Sequence, residues 1–353
     1  MSTSNKKSFK DFNIGVGNTS FLIAEVGVNH NGSLETAFKL IDAAVESGAN
    51  AVKFQTFLTE ENISKNTPLA THHLENVGKS ISHYDLIKQL ELPLESFLEL
   101  KNYCNEKNII FISTPYDLIS AEYLISIKTK MIKIASSEML NFPLLNLIGR
   151  SKIPLILSTG MSDWDEISSS VYFLKNYHNE ICILKCTSNY PSNPEDINLL
   201  GLVKIRETFP DLLIGFSDHS EGSEVSLASL GIGINMIERH FTLDKNTWGP
   251  DHKASMTPNE FKKFVKKIRK VEKALGSYNW DIQDSEIIQK ETMRKGVYSR
   301  KNMKKGQYIK VEDVKFLRPL GKMTPKDFFL NYLNRPLCAD ILAESEIASE
   351  NFS

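Results

Sequence analysis

The sequence predicts an α/β fold in the form of a closed (β/α)8 barrel. Short runs rich in Ile, Val and Phe occur eight times, at 21–27, 51–56, 109–115, 131–136, 155–160, 181–187, 213–219 and 235–241. These runs are almost continuously apolar, which is typical of parallel strands that are buried on both faces. Eight strand–helix units in about 260 residues match the usual size of a closed barrel.

Amphipathic stretches separate most of these runs, as an outer ring of helices requires. In the stretch 34–47, apolar residues recur at helical spacing: Phe38, Leu40, Ile41, Ala44 and Val45. Ser33 precedes this stretch as a helix cap and Gly48 ends it. An open, doubly wound sheet is the alternative fold, but no GxGxxG motif follows the first run.

A second, smaller module follows the barrel. After a helical segment and linker at 257–293, the stretch VYSRKNMKKGQYIKVEDVKFLRP (297–319) indicates a strand, a turn at Gly306 and a short element. That element ends at Arg318-Pro319. From its own residues, the segment is a basic module with a glycine turn.

The composition argues against nucleic-acid and membrane partners. The formal net charge is −1, so anion binding must come from local clusters of Lys and Arg. No apolar run reaches about 18 residues, and 1–13 is polar, which predicts neither a membrane span nor a signal peptide. We therefore expect a cytoplasmic enzyme.

The cysteines form neither a CxxC pair nor a zinc-binding spacing: Cys104, Cys182, Cys186 and Cys338. Two of them lie in the sixth apolar run, where we expect free, buried thiols.

Polar residues end nearly every apolar run, although such residues are costly to bury unless they are paired or used. They are Glu25, Lys53, Gln55, Ser113, Thr114, Lys133, Ser136, Glu138, Ser158, Thr159, Thr187, Ser217, His219, Glu238 and His240. The carboxyl ends of barrel strands carry the active sites of barrel enzymes. A single polar strand end is ordinarily structural, but polar residues at all eight ends predict an active site.

His219 and His240 end adjacent strands and should approach each other. Two imidazoles with a nearby carboxylate suit Mn²⁺, Zn²⁺ or Fe²⁺, with positions left for water and substrate. Two further histidines, His30 and His252, lie in loops at the same end and are candidates for substrate contact. The remaining four fit surface positions: His72, His73, His83 and His178.

Lys53 and Lys133 arise from different strands but point to one mouth. Nearby hydroxyls complete a pocket for a small, highly charged anion: Thr114, Ser136, Ser158 and Ser217. No GxxxxGK[ST] loop is present, so a nucleoside triphosphate is not indicated.

Longer motifs surround these residues: IAEVGVNHNGS (23–33), AVKFQTF (51–57), STPYD (113–117), LSTGM (157–161), GFSDHS (215–220), ERHFTLDK (238–245) and GPDHKAS (249–255). In the same order, they resemble motifs of the bacterial N-acetylneuraminate (sialic acid) synthase family, and the resemblance covers most of the chain. It implies a barrel at 1–280, a linker at 281–293 and a β-rich, antifreeze-like (SAF) domain at 294–353.

The resemblance also implies roles for individual residues. The metal ligands would be His219 and His240, with Mn²⁺ expected first and Mg²⁺ or Co²⁺ as alternatives. Phosphoenolpyruvate would be held by Lys53, Thr114, Lys133, Ser136, Ser158 and Ser217. The sugar would be contacted by Gln55, Tyr190, Asp251 and Arg318. Glu25 is the first candidate for handling the proton of water and Glu138 the second, and Arg318 implies a domain-swapped homodimer.

The implied reaction condenses phosphoenolpyruvate with N-acetylmannosamine to give N-acetylneuraminate and phosphate. A legionaminic acid synthase, using 2,4-diacetamido-2,4,6-trideoxymannose, is the alternative within the family, and a 6-phosphorylated acceptor stays open. From another class, the alternative is a non-catalytic sugar or phosphate sensor. The chain departs from the family pattern at Ser137, Ser188 and Leu320, which puts the sugar in doubt more than the reaction.

Overall fold

The computed structural model describes residues 8–15, 17–69, 76–77, 81–277 and 279–352. The chain divides into two compact units, Met1–Gly276 and Ser277–Ser353. His72 and His73, expected at the surface, lie outside the described residues. A helix, Asp284–Met293, occupies most of the segment that we expected to be a linker.

The first unit contains the predicted barrel. A short antiparallel hairpin, β1 (Ser8–Phe9) and β2 (Ile14–Gly15), precedes it. The barrel strands are β3 (Phe21–Gly27), β4 (Ala51–Thr56), β5 (Ile110–Pro115), β6 (Ile132–Ile134), β7 (Leu155–Ser158), β8 (Ile181–Cys186), β9 (Leu213–Ser217) and β10 (Met236–His240). Neighbours pair in parallel, and β10 pairs with β3 to close the barrel. The predicted fold class is confirmed, with strands up to three residues shorter than the apolar runs.

Helices surround this barrel: Leu34–Ser47, Thr59–Asn62, His83–Leu90, Leu94–Glu106, Leu118–Ser126, Phe142–Ser151, Trp164–Lys175, Pro194–Ile197, Gly201–Thr208, Glu224–Leu230 and Pro258–Leu275. The first begins and ends as predicted, because the Ser33 hydroxyl accepts from the Thr36 amide and Gly48 takes a left-handed φ of 84°. Their apolar faces pack on the outward-facing strand residues in one continuous core. Within the described ranges, no helix is both long and apolar enough to cross a bilayer.

The barrel interior is divided into two layers along its axis. Near the amino ends of the strands, inward-facing side chains form a closed apolar cluster, which includes Ile112, Ile156 and Met236. Phe9 and Ile14 of the hairpin belong to the same cluster and cover this end of the barrel. Because side chains alternate along a strand, the inward positions two residues further on form a second layer, and there they are polar.

The second unit is small and contains the predicted strand, the turn at Gly306 and the short element, which is itself a strand. β11 (Gly296–Ser299) pairs antiparallel with β12 (Val314–Leu317), and Gly306 lies in the turn with a φ of 82°. Its own apolar core includes Val297, Val314 and Phe328. The short helical segments of this unit are Val311–Asp313, Pro325–Asp327, Phe328–Tyr332 and Ser349–Asn351. Its likeness to antifreeze proteins stays a prediction.

Candidate active site

A cavity of about 200 Å³ lies at the carboxyl ends of the strands, and all eight barrel strands contribute to its lining. Of the fourteen residues predicted for the site, eleven line this cavity: Glu25, Lys53, Gln55, Thr114, Lys133, Ser136, Ser158, Tyr190, Ser217, His219 and His240. The geometry brings together the predicted anion, metal and sugar positions. Their individual roles stay predictions.

Two buried lysines and two buried glutamates form the charged floor of the cavity. Lys53 Nζ lies 2.6 Å from Glu25 Oε2, and Lys133 Nζ lies 2.9 Å from Glu238 Oε2. Lys53 also lies 3.9 Å from Glu238 Oε1, which accepts a 3.0 Å hydrogen bond from the Ser217 hydroxyl. The four charges therefore balance within the cavity, and the lysines are held in fixed positions.

The local backbone explains how Glu25 reaches this floor. Glu25 is opposite Lys53 in the β3–β4 register, and the register shifts between Glu25 and Gly27. Gly27 adopts a φ of 56°, and a Cβ there would lie 3.1 Å from the Gln55 amide nitrogen. The bulge at this glycine therefore leaves room for Gln55 to donate to Glu25 Oε1 at 3.2 Å.

The surroundings shift the pKa values of the two glutamates in opposite directions. Burial raises the pKa of Glu25, and the favourable charge of Lys53 only partly offsets it. Burial also acts to raise the pKa of Glu238, but Lys133 and Lys53 outweigh it and lower that pKa to about 2. Glu238 is thus a permanent anion, whereas Glu25 is the carboxylate better suited to exchange a proton.

The two predicted metal ligands are neighbours, with ring centroids 5.3 Å apart. His219 Nδ1 lies 2.8 Å from the Thr187 carbonyl, so this nitrogen donates, and in the neutral tautomer Nε2 would carry the lone pair. The buried Nδ1 of His240 has no hydrogen-bond partner among the described residues. The Tyr190 ring stacks on His219 at 4.1 Å.

These observations fit a metal held by two imidazoles, with its other ligands from water and substrate. In the part of the chain that the structure describes, no group of three or more His, Cys, Asp or Glu side chains could hold a metal by itself. The carboxylate that we expected beside the histidines therefore does not complete a ligand set.

A buried ion pair joins the two chain segments that carry the histidines. Arg239 Nη1 contacts Asp218 Oδ2 at 2.6 Å, and Arg239 Nη2 donates to the Ser220 carbonyl at 2.7 Å. Asp218 Oδ1 in turn accepts from the amide and hydroxyl of Ser220. Since Asp218 precedes His219 and Arg239 precedes His240, this pair fixes the backbone from which both rings extend.

Three predicted site residues do not line the cavity. The Glu138 carboxylate is held by the Ser137 hydroxyl at 3.0 Å and the Asn141 amide at 2.7 Å. The 3₁₀ turn Ser136–Glu138 after the short strand β6 directs it there. Asp251 is buried, and its burial, with the charge of Glu25, raises its pKa to about 6. Arg318 belongs to the second unit, where it is exposed after β12.

The other histidines lie away from the cavity. His252 is buried between the Thr242 hydroxyl at 2.7 Å and the Asn31 amide oxygen at 3.2 Å, which is a structural arrangement. His30 is also buried, and its Nδ1 accepts from the Gly32 amide. Neither lines the cavity, and a contact of either with substrate stays a prediction. His83 and His178 are half-buried rather than fully exposed.

Seven lining residues were not assigned a role from the sequence: Tyr116, Ala135, Ser137, Met161, Cys186, Ser188 and Glu238. Glu238 was noted as a polar strand end, but its position between two lysines depends on contacts across the barrel. Tyr116 directly follows the STP motif. It lies two residues after Thr114, and this spacing is the feature of the sequence that would have placed both side chains on the same side of the strand. Ser137 and Ser188 depart from the family pattern at positions that line the cavity.

A closed eight-stranded barrel with a polar cavity at the carboxyl ends of its strands is the architecture of (β/α)8 enzymes. The model of the NeuB family matches residues 40–279. The chain is an enzyme that belongs to this family.

Several of the relatives are named as synthases of related sugar acids. The N,N'-diacetyllegionaminic acid synthase of Legionella pneumophila is 40% identical over 318 residues, 89% of each chain. That of Campylobacter jejuni is 37% identical over 324 residues, 88% of this chain and 97% of the relative. The crystal structure of the N-acetylneuraminic acid (sialic acid) synthetase of Leptospira borgpetersenii has a TM-score of 0.69 and 33% identity. It covers 82% of this chain and 94% of that chain.

Proposed function

We propose that the enzyme condenses phosphoenolpyruvate with the open-chain form of an N-acylated amino sugar. The enol carbon of phosphoenolpyruvate forms a C–C bond with the aldehyde carbon of the sugar, whose oxygen takes up a proton. Water adds to C2 of the former enol, and the C–O bond to phosphate breaks. The products are a sugar acid and phosphate. The observation that carries this proposal is the cavity in which two lysines, five serines, a threonine and two histidines converge.

Phosphoenolpyruvate would occupy the floor of the cavity. Lys53 and Lys133 supply positive charge, and Lys53 already donates to the Thr114 hydroxyl at 3.2 Å. The buried Ser158 hydroxyl has no hydrogen-bond partner in the described part of the chain, so it is free to donate to the anion. Because Glu25 and Glu238 balance the lysines, the anion enters a site that is organised by these ion pairs before it binds.

His219 and His240 would hold a divalent metal, with Mn²⁺ expected first. Bound there, the metal would polarise the aldehyde carbonyl of the sugar as a Lewis acid. The chain's own part is to set the tautomer of His219 and to hold both imidazoles in position. The Thr187 carbonyl does this for His219, and the Asp218–Arg239 ion pair fixes the backbone of both.

Glu25 is the residue that we propose for the water proton. Its carboxylate lies at the cavity wall between the Lys53 ammonium at 2.6 Å and the Gln55 amide at 3.2 Å. Glu138 is the weaker candidate, because its carboxylate is held by Ser137 and Asn141 outside the lining. A base must reach the proton it takes, and geometry favours Glu25.

Two acceptors fit the proposal. The resemblance implied N-acetylmannosamine first, whereas the names of the two relatives reported above favour 2,4-diacetamido-2,4,6-trideoxymannose. Ser137 and Ser188 lie in the lining, so two of the three departures from the family pattern are in contact with the cavity. A domain-swapped homodimer with Arg318 at the partner's barrel stays a prediction.

The test is release of phosphate from phosphoenolpyruvate by Mn²⁺-loaded protein with each acceptor in turn, with the product identified by mass spectrometry. We expect stoichiometric phosphate and a sugar acid with at least one acceptor. Absence of phosphate with both acceptors, from folded and metal-loaded protein, would overturn the proposal and leave the sensor as the better reading.

The metal role has its own readout. A variant with His219→Ala and His240→Ala should lose bound Mn²⁺, measured by mass spectrometry of the metal content, and at least about 1,000-fold in rate. His83→Ala, outside the cavity, is the control and should keep both. Full metal content or full rate in the double variant would remove the two histidines from this role.

A further inference from the structure

Tyr116 directly follows β5 and continues the inward-facing positions of this strand. Counting along β5, Ile112 belongs to the apolar cluster and Thr114 lines the floor of the cavity. Tyr116 comes next and also lines the cavity. Its amide donates to the Thr56 carbonyl at 3.1 Å, which extends the β4–β5 ladder to this residue. Tyr116 therefore lies one step closer to the mouth than the residues that face the anion.

The ring of Tyr116 is fixed by packing. It stands edge-on to Phe57 with 6.4 Å between centroids. It also packs against a small buried cluster, which includes Val28 and Leu86. A tyrosine held on several sides presents its hydroxyl at a defined place with little loss of rotamer freedom on binding.

The hydroxyl of Tyr116 makes no hydrogen bond to another residue that the structure describes. A tyrosine hydroxyl in such surroundings ordinarily finds a partner. Burial first, and then the charges of Glu25 and Asp251, raise the pKa of Tyr116 well above its usual value. The phenol therefore keeps its proton and is a hydrogen-bond donor. Its acceptor would be a molecule bound in the cavity.

We propose that the Tyr116 hydroxyl donates a hydrogen bond to a hydroxyl or acetamido oxygen of the acceptor sugar. This inference rests on the proposed function, in which the smaller anion fills the floor and the acceptor lies above it. Tyr116 thereby contributes to acceptor selection, and it has no direct contact with phosphoenolpyruvate.

The experiment compares Tyr116→Phe with the wild type, using N-acetylmannosamine and 2,4-diacetamido-2,4,6-trideoxymannose as probes. Phenylalanine keeps the ring packing and removes only the hydroxyl. We expect kcat/KM for the acceptor to fall about tenfold, with the KM for phosphoenolpyruvate unchanged. Acceptor binding measured by calorimetry without phosphoenolpyruvate should weaken by the same factor.

Tyr172→Phe is the matched control, because Tyr172 lies on the outer helix Trp164–Lys175 and is 55% exposed. It should change none of these values. Unchanged acceptor binding in Tyr116→Phe, or a rise in the KM for phosphoenolpyruvate instead, would overturn the inference. Acceptor binding by a wild type that releases no phosphate would contradict the proposed reaction but still test Tyr116. Absence of both binding and turnover would overturn both.

Discussion

The two layers of the barrel interior differ in chemistry although they are formed by the same strands. On β7, Ile156 lies in the apolar layer and Ser158, two residues later, lines the cavity. Likewise, Met131 lies in the apolar layer, and Lys133 follows it on β6. One layer is therefore filled by side chains that need no partner, whereas the other contains charges that do. The comparison separates residues whose burial stabilises the barrel from charged residues whose burial costs free energy.

The charged layer is a poor source of stability. Lys53, Lys133, Glu25 and Glu238 are each at most 5% exposed, and removing such groups from water costs several kcal/mol per ion. Their mutual contacts offset this cost. Packed apolar side chains of similar volume would fill the same space without any such cost. The presence of four charges here is therefore better explained by what they bind.

The largest effect is expected for Lys133→Met, which removes one ammonium group from the charged layer. Glu238 then loses its ammonium contact at 2.9 Å and keeps the Ser217 hydroxyl at 3.0 Å and the more distant Lys53 at 3.9 Å. We expect the free energy of unfolding to fall by about 3 kcal/mol. The value of kcat/KM should fall about 1,000-fold, because the anion loses a preorganised charge. Urea titration and the phosphate assay measure the two effects.

The double variant Lys133→Met, Glu238→Gln separates stability from function. It removes both charges of the pair, so the unfolding free energy should recover most of its loss, while the rate stays low. Recovery of the rate together with stability would show that Lys133 acts only as the partner of Glu238.

An intermediate effect is expected for Ile156→Ala in the apolar layer. Ile156 is fully buried, and its truncation leaves a cavity that costs about 3 kcal/mol. The rate per folded molecule at 25 °C should change less than twofold, because the substitution replaces none of the side chains that line the cavity. If the variant is fully folded but loses most of its rate, then packing in the apolar layer affects the side chains of the cavity, and the two layers do not act independently.

Most of the fold could be predicted from the sequence, because a strand buried on both faces needs an unbroken apolar run. The helix Leu34–Ser47 was predicted with its cap because Ser33 and Gly48 act locally. The strand ends were less well predicted. Thr159 and Thr187 continue the apolar runs, but the strands end at Ser158 and Cys186, where the chain turns into loops.

The site was predicted in part, for a geometric reason. Polar residues at strand ends converge in any closed barrel, which is why eleven predicted residues share one cavity. Glu238 lies 105 positions from Lys133, and only the closed barrel shows that the two are paired. The turn after β6 directs Glu138 away, and nothing in its spacing from Lys133 indicates this.

The smallest effect, and the most selective, is expected for Ser158→Ala. Its hydroxyl is buried and makes no hydrogen bond within the described residues, so its removal should leave the unfolding free energy unchanged or raise it by up to about 1 kcal/mol. The KM for phosphoenolpyruvate should rise about tenfold, because a donor to a charged oxygen is lost. The comparison with Ile156→Ala on the same strand is direct. The change of the apolar residue should affect only the stability, whereas the change of the serine should affect only the binding of phosphoenolpyruvate. A Ser158→Ala variant that is destabilised but binds phosphoenolpyruvate normally would contradict the division of the barrel into two layers.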